Sequence, residues 1–166
     1  FIPADGCVLV DADYSQIELR LLAHISGDTG MQEAFLSGGD FHAETAAKVF
    51  HVARADVTHE MRRRAKAVNF GIVYGISAFS LSQDIGSTVA EAKAYMDAYF
   101  ATFPGVRKYM DDVVEKAKET GYVETLFHRR RDLPELTSSN HNLRAFGERV
   151  ALNMPIQGTA ADIMKL

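Results

Sequence analysis

Arg62, Lys66, Phe70 and Tyr74 stand four residues apart. In a helix each step of four turns the chain by about 400°, so successive members are offset by only about 40°. The four side chains then form one slowly drifting stripe, cationic in its first half and aromatic in its second. Arg62 and Phe70 would lie roughly 12 Å apart along the axis, the length scale of a nucleoside triphosphate laid lengthwise. Cations hold phosphate by charge-assisted hydrogen bonds, and an aromatic face holds a base by stacking. Basic and aromatic residues also mark an ordinary amphipathic helix with one solvated and one core face. The stripe alone leaves both readings open.

A second chemical candidate is the pair Asp11 and Asp13. The run 7–13, Cys-Val-Leu-Val-Asp-Ala-Asp, predicts a short buried strand that ends in acids. Ser15-Gln16-Ile17-Glu18 has the form of a capping box, with a helix continuing through Leu19, Leu21, Leu22 and Ile25. Asp13 would then sit between strand and helix, where a carboxylate can face a cleft and hold a metal. Asp11 would share its face of the strand and is a tempting second ligand. The plainer alternatives are a turn acid at Asp13 and simple capping at Glu18.

The elements that must carry these residues read as mostly helical. Ser37-Gly38-Gly39 is a break, after which Asp40 caps a helix through Phe50. Thr58 caps the helix bearing the stripe. A helix is expected from Val89 to Phe103, ended by Pro104-Gly105, and another from Val106 to Thr120, stopped by Gly121. Residues 122–126 and 132–136 suggest a small hairpin around Arg129, Arg130 and Arg131. A helix from about Asn142 to Asn153 would be interrupted at Pro155, with a last helix from near Gln157. No internal repeat, low-complexity segment or linker divides the chain.

Composition limits the function classes. The 166 residues are enough for one domain with a sizeable core. The single cysteine, Cys7, excludes an internal disulfide, and no apolar run approaches the roughly 20 residues needed to span a bilayer. The six histidines lack zinc-ligand spacing, and no Gly-rich lysine loop supports an ATPase. The net charge of −4 hides an asymmetry. Residues 1–60 hold ten acids and three bases, whereas residues 61–166 hold twelve acids and fifteen bases. Seven of those bases fall in two clusters, Arg62-Arg63-Arg64 with Lys66 and Arg129-Arg130-Arg131. Phosphate contacts are local and screened beyond about 8–10 Å, so the clusters outweigh the total. Phe1 in place of a start methionine suggests a chain that begins mid-protein.

Asp13-Tyr14-Ser15-Gln16-Ile17-Glu18-Leu19-Arg20 and the run from Arg62 to Gly75 strongly resemble two signature motifs of family A DNA polymerases, of the bacterial DNA polymerase I type. Gly121-Tyr122-Val123-Glu124-Thr125-Leu126 agrees with a further motif. So does Asn153-Met154-Pro155-Ile156-Gln157-Gly158-Thr159-Ala160-Ala161-Asp162. The resemblance runs over essentially the whole chain in the family's order. It implies a mainly α fold with a small β component: a helical fingers subdomain (26–152) set in a truncated palm (1–25 and 153–166).

The activity implied is template-directed transfer of a nucleotidyl group from a deoxynucleoside triphosphate to a primer 3′-hydroxyl. Its partners would be primer–template DNA, the triphosphates and the remainder of a parent polymerase, with no membrane. Its setting would be the bacterial cytoplasm and nucleoid, or a phage-infected host. Such chemistry uses two divalent cations about 3.5–4 Å apart, and Mg²⁺ suits it. By resemblance Asp13 ligates both metals with help from the Tyr14 carbonyl. Arg62, Lys66 and His42 meet the triphosphate, with Lys66 a possible proton donor to the pyrophosphate. Phe70 stacks on the incoming nucleotide, Tyr74 guards the template-base position, and Gln16 and Glu18 line the sugar pocket. Arg149, Asn153 and Gln157 contact template and primer, although Pro155 should disturb their common face.

The family's second metal-binding aspartate belongs to a His-Asp-Glu-type motif expected beyond Leu166. The chain is therefore expected to encode half a metal site and to be inactive alone. Asp11 and His128 depart from the family pattern, the latter replacing a glycine before the arginine triplet. A single-subunit RNA polymerase shares the Arg…Lys…Tyr-Gly helix, but Glu18 would crowd a 2′-hydroxyl. A non-catalytic nucleic-acid-binding helical module leaves Asp13 unexplained, since an acid aimed at phosphate only weakens binding.

Overall fold

The computed structural model describes all 166 residues. Eight helices are joined by one small hairpin: α1 (Ile17–Ser26), α2 (Thr29–Leu36), α3 (Phe41–Phe50), α4 (His59–Val73), α5 (Ala78–Ile85), α6 (Val89–Thr102), α7 (Pro104–Thr120), β1 (Tyr122–Glu124), β2 (Arg130–Asp132) and α8 (His141–Ile163). Single 3₁₀ turns occupy Arg54–Asp56 and Pro134–Thr137. The expected class, mainly α with a small β component, is what the chain adopts.

The helix boundaries follow their local chemistry. Asp40 caps α3, its carboxylate accepting the amides of His42 and Ala43 at 3.0 and 3.3 Å. Thr58 caps α4 by accepting the Met61 amide. Pro104 opens α7, and Gly121 closes it at φ 81° with its amide on the Ala117 carbonyl. Asp28 does two jobs. One oxygen accepts the Met31 amide at the start of α2, and the other accepts the Gly105 amide at the start of α7. A Cβ at position 105 would come within 3.0 Å of Asp28, so glycine is required for that approach.

The main core is built from α1 to α7 and the carboxyl-terminal part of α8. Leu19, Leu22, Phe41, Ile72, Leu81, Tyr99, Phe103 and Ile156 fill it, each at most 1% exposed. A smaller cluster of Ala117, Val123, Leu133, Leu136 and Ala151 seats the hairpin against α7 and α8.

Four expectations change. Residues 7–13 form no strand, and Val8, Leu9 and Val10 are largely exposed. A strand needs a neighbour for its amides and carbonyls, and nothing else in the chain lies beside this segment as one. The Ser15–Glu18 capping box does not form, because Gln16 is the N-cap, in the left-handed region at φ 57°. A true capping box occurs instead at Thr88 and Glu91. Pro155 does not split the last helix. It is buried within continuous α8 beside Ala151, Ile156 and Thr159, and that packing offsets the hydrogen bond a proline removes. The second hairpin strand is Arg130–Asp132 rather than 132–136, paired with β1 so that Glu124 faces Arg130. Helices α2 and α5, capped by Asp28 and Ser77, are additional to the elements read from the sequence.

Candidate nucleotide and nucleic-acid interface

Helix α4 presents the stripe as the spacing predicts. Ala65, Val68, Asn69, Ile72 and Val73 are buried on one side, while Lys66 is exposed and Arg62 and Phe70 are half-buried on the other. Tyr74 falls just past the helix end, as its C-cap. The four bases of this cluster are not equivalent. Arg63 and Arg64 both bind Glu60 one turn back, at 2.7 and 2.8 Å, and Arg64 also donates to the Tyr95 hydroxyl. Those two bonds hold the Glu60 carboxyl down to about 2. Lys66 pairs with no carboxylate.

Arg62 donates through Nε to Asp40 at 2.6 Å, leaving the outer edge of its guanidinium for another acceptor. Asp40 thus joins the cap of α3 to the cationic end of α4. Burial alone would raise its carboxyl, but Arg62 and the amides of Ala43 and His42 hold it below its ordinary value. His42, in the first turn of α3, is buried and lies 5.7 Å from the Phe70 ring centroid. Burial pushes its imidazole below the ordinary value, Asp40 pulls it back, and Arg62 and Lys66 push it down again. The ring is neutral near pH 7.

At the aromatic end, the Tyr74 hydroxyl donates to the Glu18 carboxylate at 3.0 Å. Burial and the neighbouring Glu18 charge both raise the Tyr74 phenol, so it stays a donor. Two residues 56 positions apart thereby lock the start of α1 to the end of α4. Gln16, at the α1 cap, stands half-buried beside this junction in sequence. The pairing leaves no sequence signal, since neither residue's local pattern points to the other.

Tyr74 and Arg149 belong to the walls of two cavities. One, of about 390 Å³, is also lined by Asn153, Gln157, Arg129 and Arg131. The other, of about 460 Å³, is also lined by Phe70, Gly71, Gly75, Ser77 and Asp84. Because α8 is unbroken, Arg149, Asn153 and Gln157 share one face as their spacing of four implies, and the expected disturbance by Pro155 is absent. Asn153 also reaches the Val73 carbonyl at 3.5 Å, which ties α8 to the stripe helix. Of the arginine triplet, Arg129 is spent on the Gly158 carbonyl and Asp162. Arg130 is spent on Asp132 and the Tyr122 ring, so of the two triplet members that line the first cavity, Arg129 and Arg131, only Arg131 has no partner.

Asp13 and Tyr14 stand apart from this assembly, both exposed in the irregular amino-terminal segment. No group of three or more His, Cys, Asp or Glu residues able to hold a metal ion forms anywhere in the chain. Asp11 does not complete one with Asp13.

The whole chain also has recognisable relatives among known proteins. The family model for DNA polymerase family A matches residues 1–166. DNA polymerase I of Bacillus subtilis is 59% identical over 166 residues, covering 99% of this chain and 19% of that protein. DNA polymerase I of Geobacillus stearothermophilus is 57% identical, with the same coverage. Among solved structures, the POL domain of Pol1 from M. smegmatis in complex with DNA primer-template and dNTP superposes with a TM-score of 0.87. It shares 52% identity over 92% of this chain and 27% of that one. The chain thus spans about a fifth of the length of the curated relatives it matches. No helix is long and apolar enough to cross a membrane. With the whole of its sequence matched and its helices superposing on a polymerase domain, the chain belongs to DNA polymerase family A.

Proposed function

We propose that the chain is the nucleotide-selecting region of a DNA-directed DNA polymerase. It works in template-directed nucleotidyl transfer from a deoxynucleoside triphosphate to a primer 3′-hydroxyl. The observation that carries this reading is the α4 face, where an unpaired Lys66 and a half-committed Arg62 precede Phe70 and Tyr74 on one exposed stripe. Arg62, Lys66 and His42 take the triphosphate, Phe70 the nucleotide, and Tyr74 the wall beside the template base. Gln16 and Glu18 bound the sugar. Arg149, Asn153 and Gln157 meet template and primer along one side of α8.

In this reading, residues 26–152 are fingers, and 1–25 with 153–166 are palm segments, the second boundary falling inside α8. The exposed Val8, Leu9 and Val10 then pair as a strand with the rest of the parent polymerase. That strand would set Asp13 and the Tyr14 carbonyl as part of a Mg²⁺ site completed by carboxylates from elsewhere in the parent. The 166 residues alone do not extend a primer. A cytoplasmic place of action, in a bacterium or a phage-infected host, goes with the same reading.

Glu18 separates this from an RNA polymerase. Its carboxylate is held by the Tyr74 hydroxyl, so it does not swing aside for a 2′-hydroxyl. In the parent polymerase, Glu18→Ala should raise ribonucleotide over deoxyribonucleotide incorporation by roughly tenfold or more, read in a competition assay. An unchanged ratio would remove the sugar-selecting role.

A further inference from the structure

The His42 ring sits at the head of a short chain of buried hydrogen bonds that joins α3 to α4. Thr45 Oγ1 donates to the Phe41 carbonyl at 2.9 Å. Asn69 Nδ2 lies 3.3 Å from Thr45 Oγ1 and 2.9 Å from His42 Nδ1. Both Thr45 and Asn69 are fully buried. A hydroxyl has one proton, and Thr45 spends it on Phe41, so Oγ1 accepts from Asn69. The amide group facing both partners is therefore the NH₂, and His42 Nδ1 accepts its other proton.

The reverse arrangement is worse. Turning the amide over would aim both amide protons at a position where the buried Asn69 Oδ1 now finds no partner. An orphaned donor is rarer and costlier in a protein interior than an under-satisfied acceptor. His42 Nε2 has no protein partner, yet it is not among the buried atoms left without one, so it keeps contact with solvent. The charges facing the ring are Asp40 from the cap of its own helix and Arg62 and Lys66 from α4.

We infer that Thr45 and Asn69 are positioning residues that fix His42 in the tautomer whose Nε2 carries the proton. The ring so held offers a neutral hydrogen-bond donor to the phosphates of the incoming nucleotide. Thr45 is the decisive member, because it breaks the twofold ambiguity of the Asn69 amide. This rests on His42 meeting the triphosphate, as proposed above.

The test is steady-state incorporation by the parent polymerase, with KM for the deoxynucleoside triphosphate and kcat measured separately. His42→Ala should raise KM by about tenfold, the loss of one hydrogen bond to a charged acceptor. Thr45→Val, nearly the same shape but without the hydroxyl, should raise KM by several-fold with kcat within twofold, while Thr45→Ser should restore it. The Thr45→Val defect should shrink as pH falls through the lowered value of the His42 imidazole, because an imidazolium carries the Nε2 proton whatever its partner. In a His42→Ala background Thr45→Val should add nothing. An unchanged KM in His42→Ala would sink the phosphate contact itself and the relay with it. A raised KM in His42→Ala beside a normal KM in Thr45→Val would overturn the relay alone. So would an equal Thr45→Val defect with and without His42.

Discussion

The stripe helix and the amino-terminal acidic segment carry the two halves of the proposed chemistry, and they stand in opposite states. Three of the candidate side chains at or beside α4 are braced from within the chain: Arg62 by Asp40, Tyr74 by Glu18, His42 by Asn69. Residues 1–14 have no such support, with Val8 and Val10 more than 80% exposed. On the proposed function, the difference means that the nucleotide-facing side chains are positioned within these 166 residues, whereas placing the acid at Asp13 falls to the rest of the parent protein. A binding face can be preformed on packed helices, but an isolated strand cannot satisfy its own backbone.

The largest effect that would sharpen this contrast is at Asp13. In the parent polymerase Asp13→Ala should reduce primer extension by about a thousandfold or more, the scale of several kcal/mol of charge stabilisation. The same change in the 166-residue chain should leave thermal unfolding where it was, because the side chain is exposed. A clear fall in Tm would show that the segment is held within the chain after all.

Asp40 should behave oppositely, since it belongs to fold and site together. Its folded value lies below the ordinary carboxylate value, so its stabilisation is complete above about pH 4 and is lost as pH falls through the folded value. Asp40→Asn lacks that contribution from the outset. Urea unfolding between about pH 6 and pH 2.5 should therefore show a shallower acid limb for the variant, and parallel limbs would remove the link between α3 and Arg62.

The smallest effect serves as a control lying in neither region. His128 occupies the left-handed region at φ 62° in the hairpin turn, a conformation that costs a residue with a Cβ about 1 kcal/mol. His128→Gly should raise Tm by about 2–4 °C without changing nucleotide kinetics.

That turn also shows what was legible beforehand. The family resemblance implies a glycine before the arginine triplet, and His128 in its place takes up a left-handed backbone conformation of the kind glycine favours. The α4 stripe and the caps Asp40, Thr58 and Gly121 were readable because they depend on local spacing and hydrogen bonding. The strand at 7–13 was misread because β-branched composition cannot say whether a pairing partner exists. Pro155 was misread because tertiary packing on both sides of α8 outweighs one lost amide. The Tyr74–Glu18 and Asn69–His42 bonds were illegible, since each joins residues that are distant in sequence and local patterns carry no trace of them.

The central claim is that the outward stripe of α4, and not its basic character in general, meets the triphosphate. Lys66 and Arg63 test it directly, being cations three residues apart on the same helix. Arg63 is bound to Glu60 and lies off the stripe, whereas Lys66 is unpaired on it. In the parent polymerase, kcat/KM for the triphosphate should fall by about a hundredfold or more in Lys66→Ala and stay within about threefold in Arg63→Ala. Equal losses in the two variants would contradict the account, because the cations would then act as a diffuse basic patch.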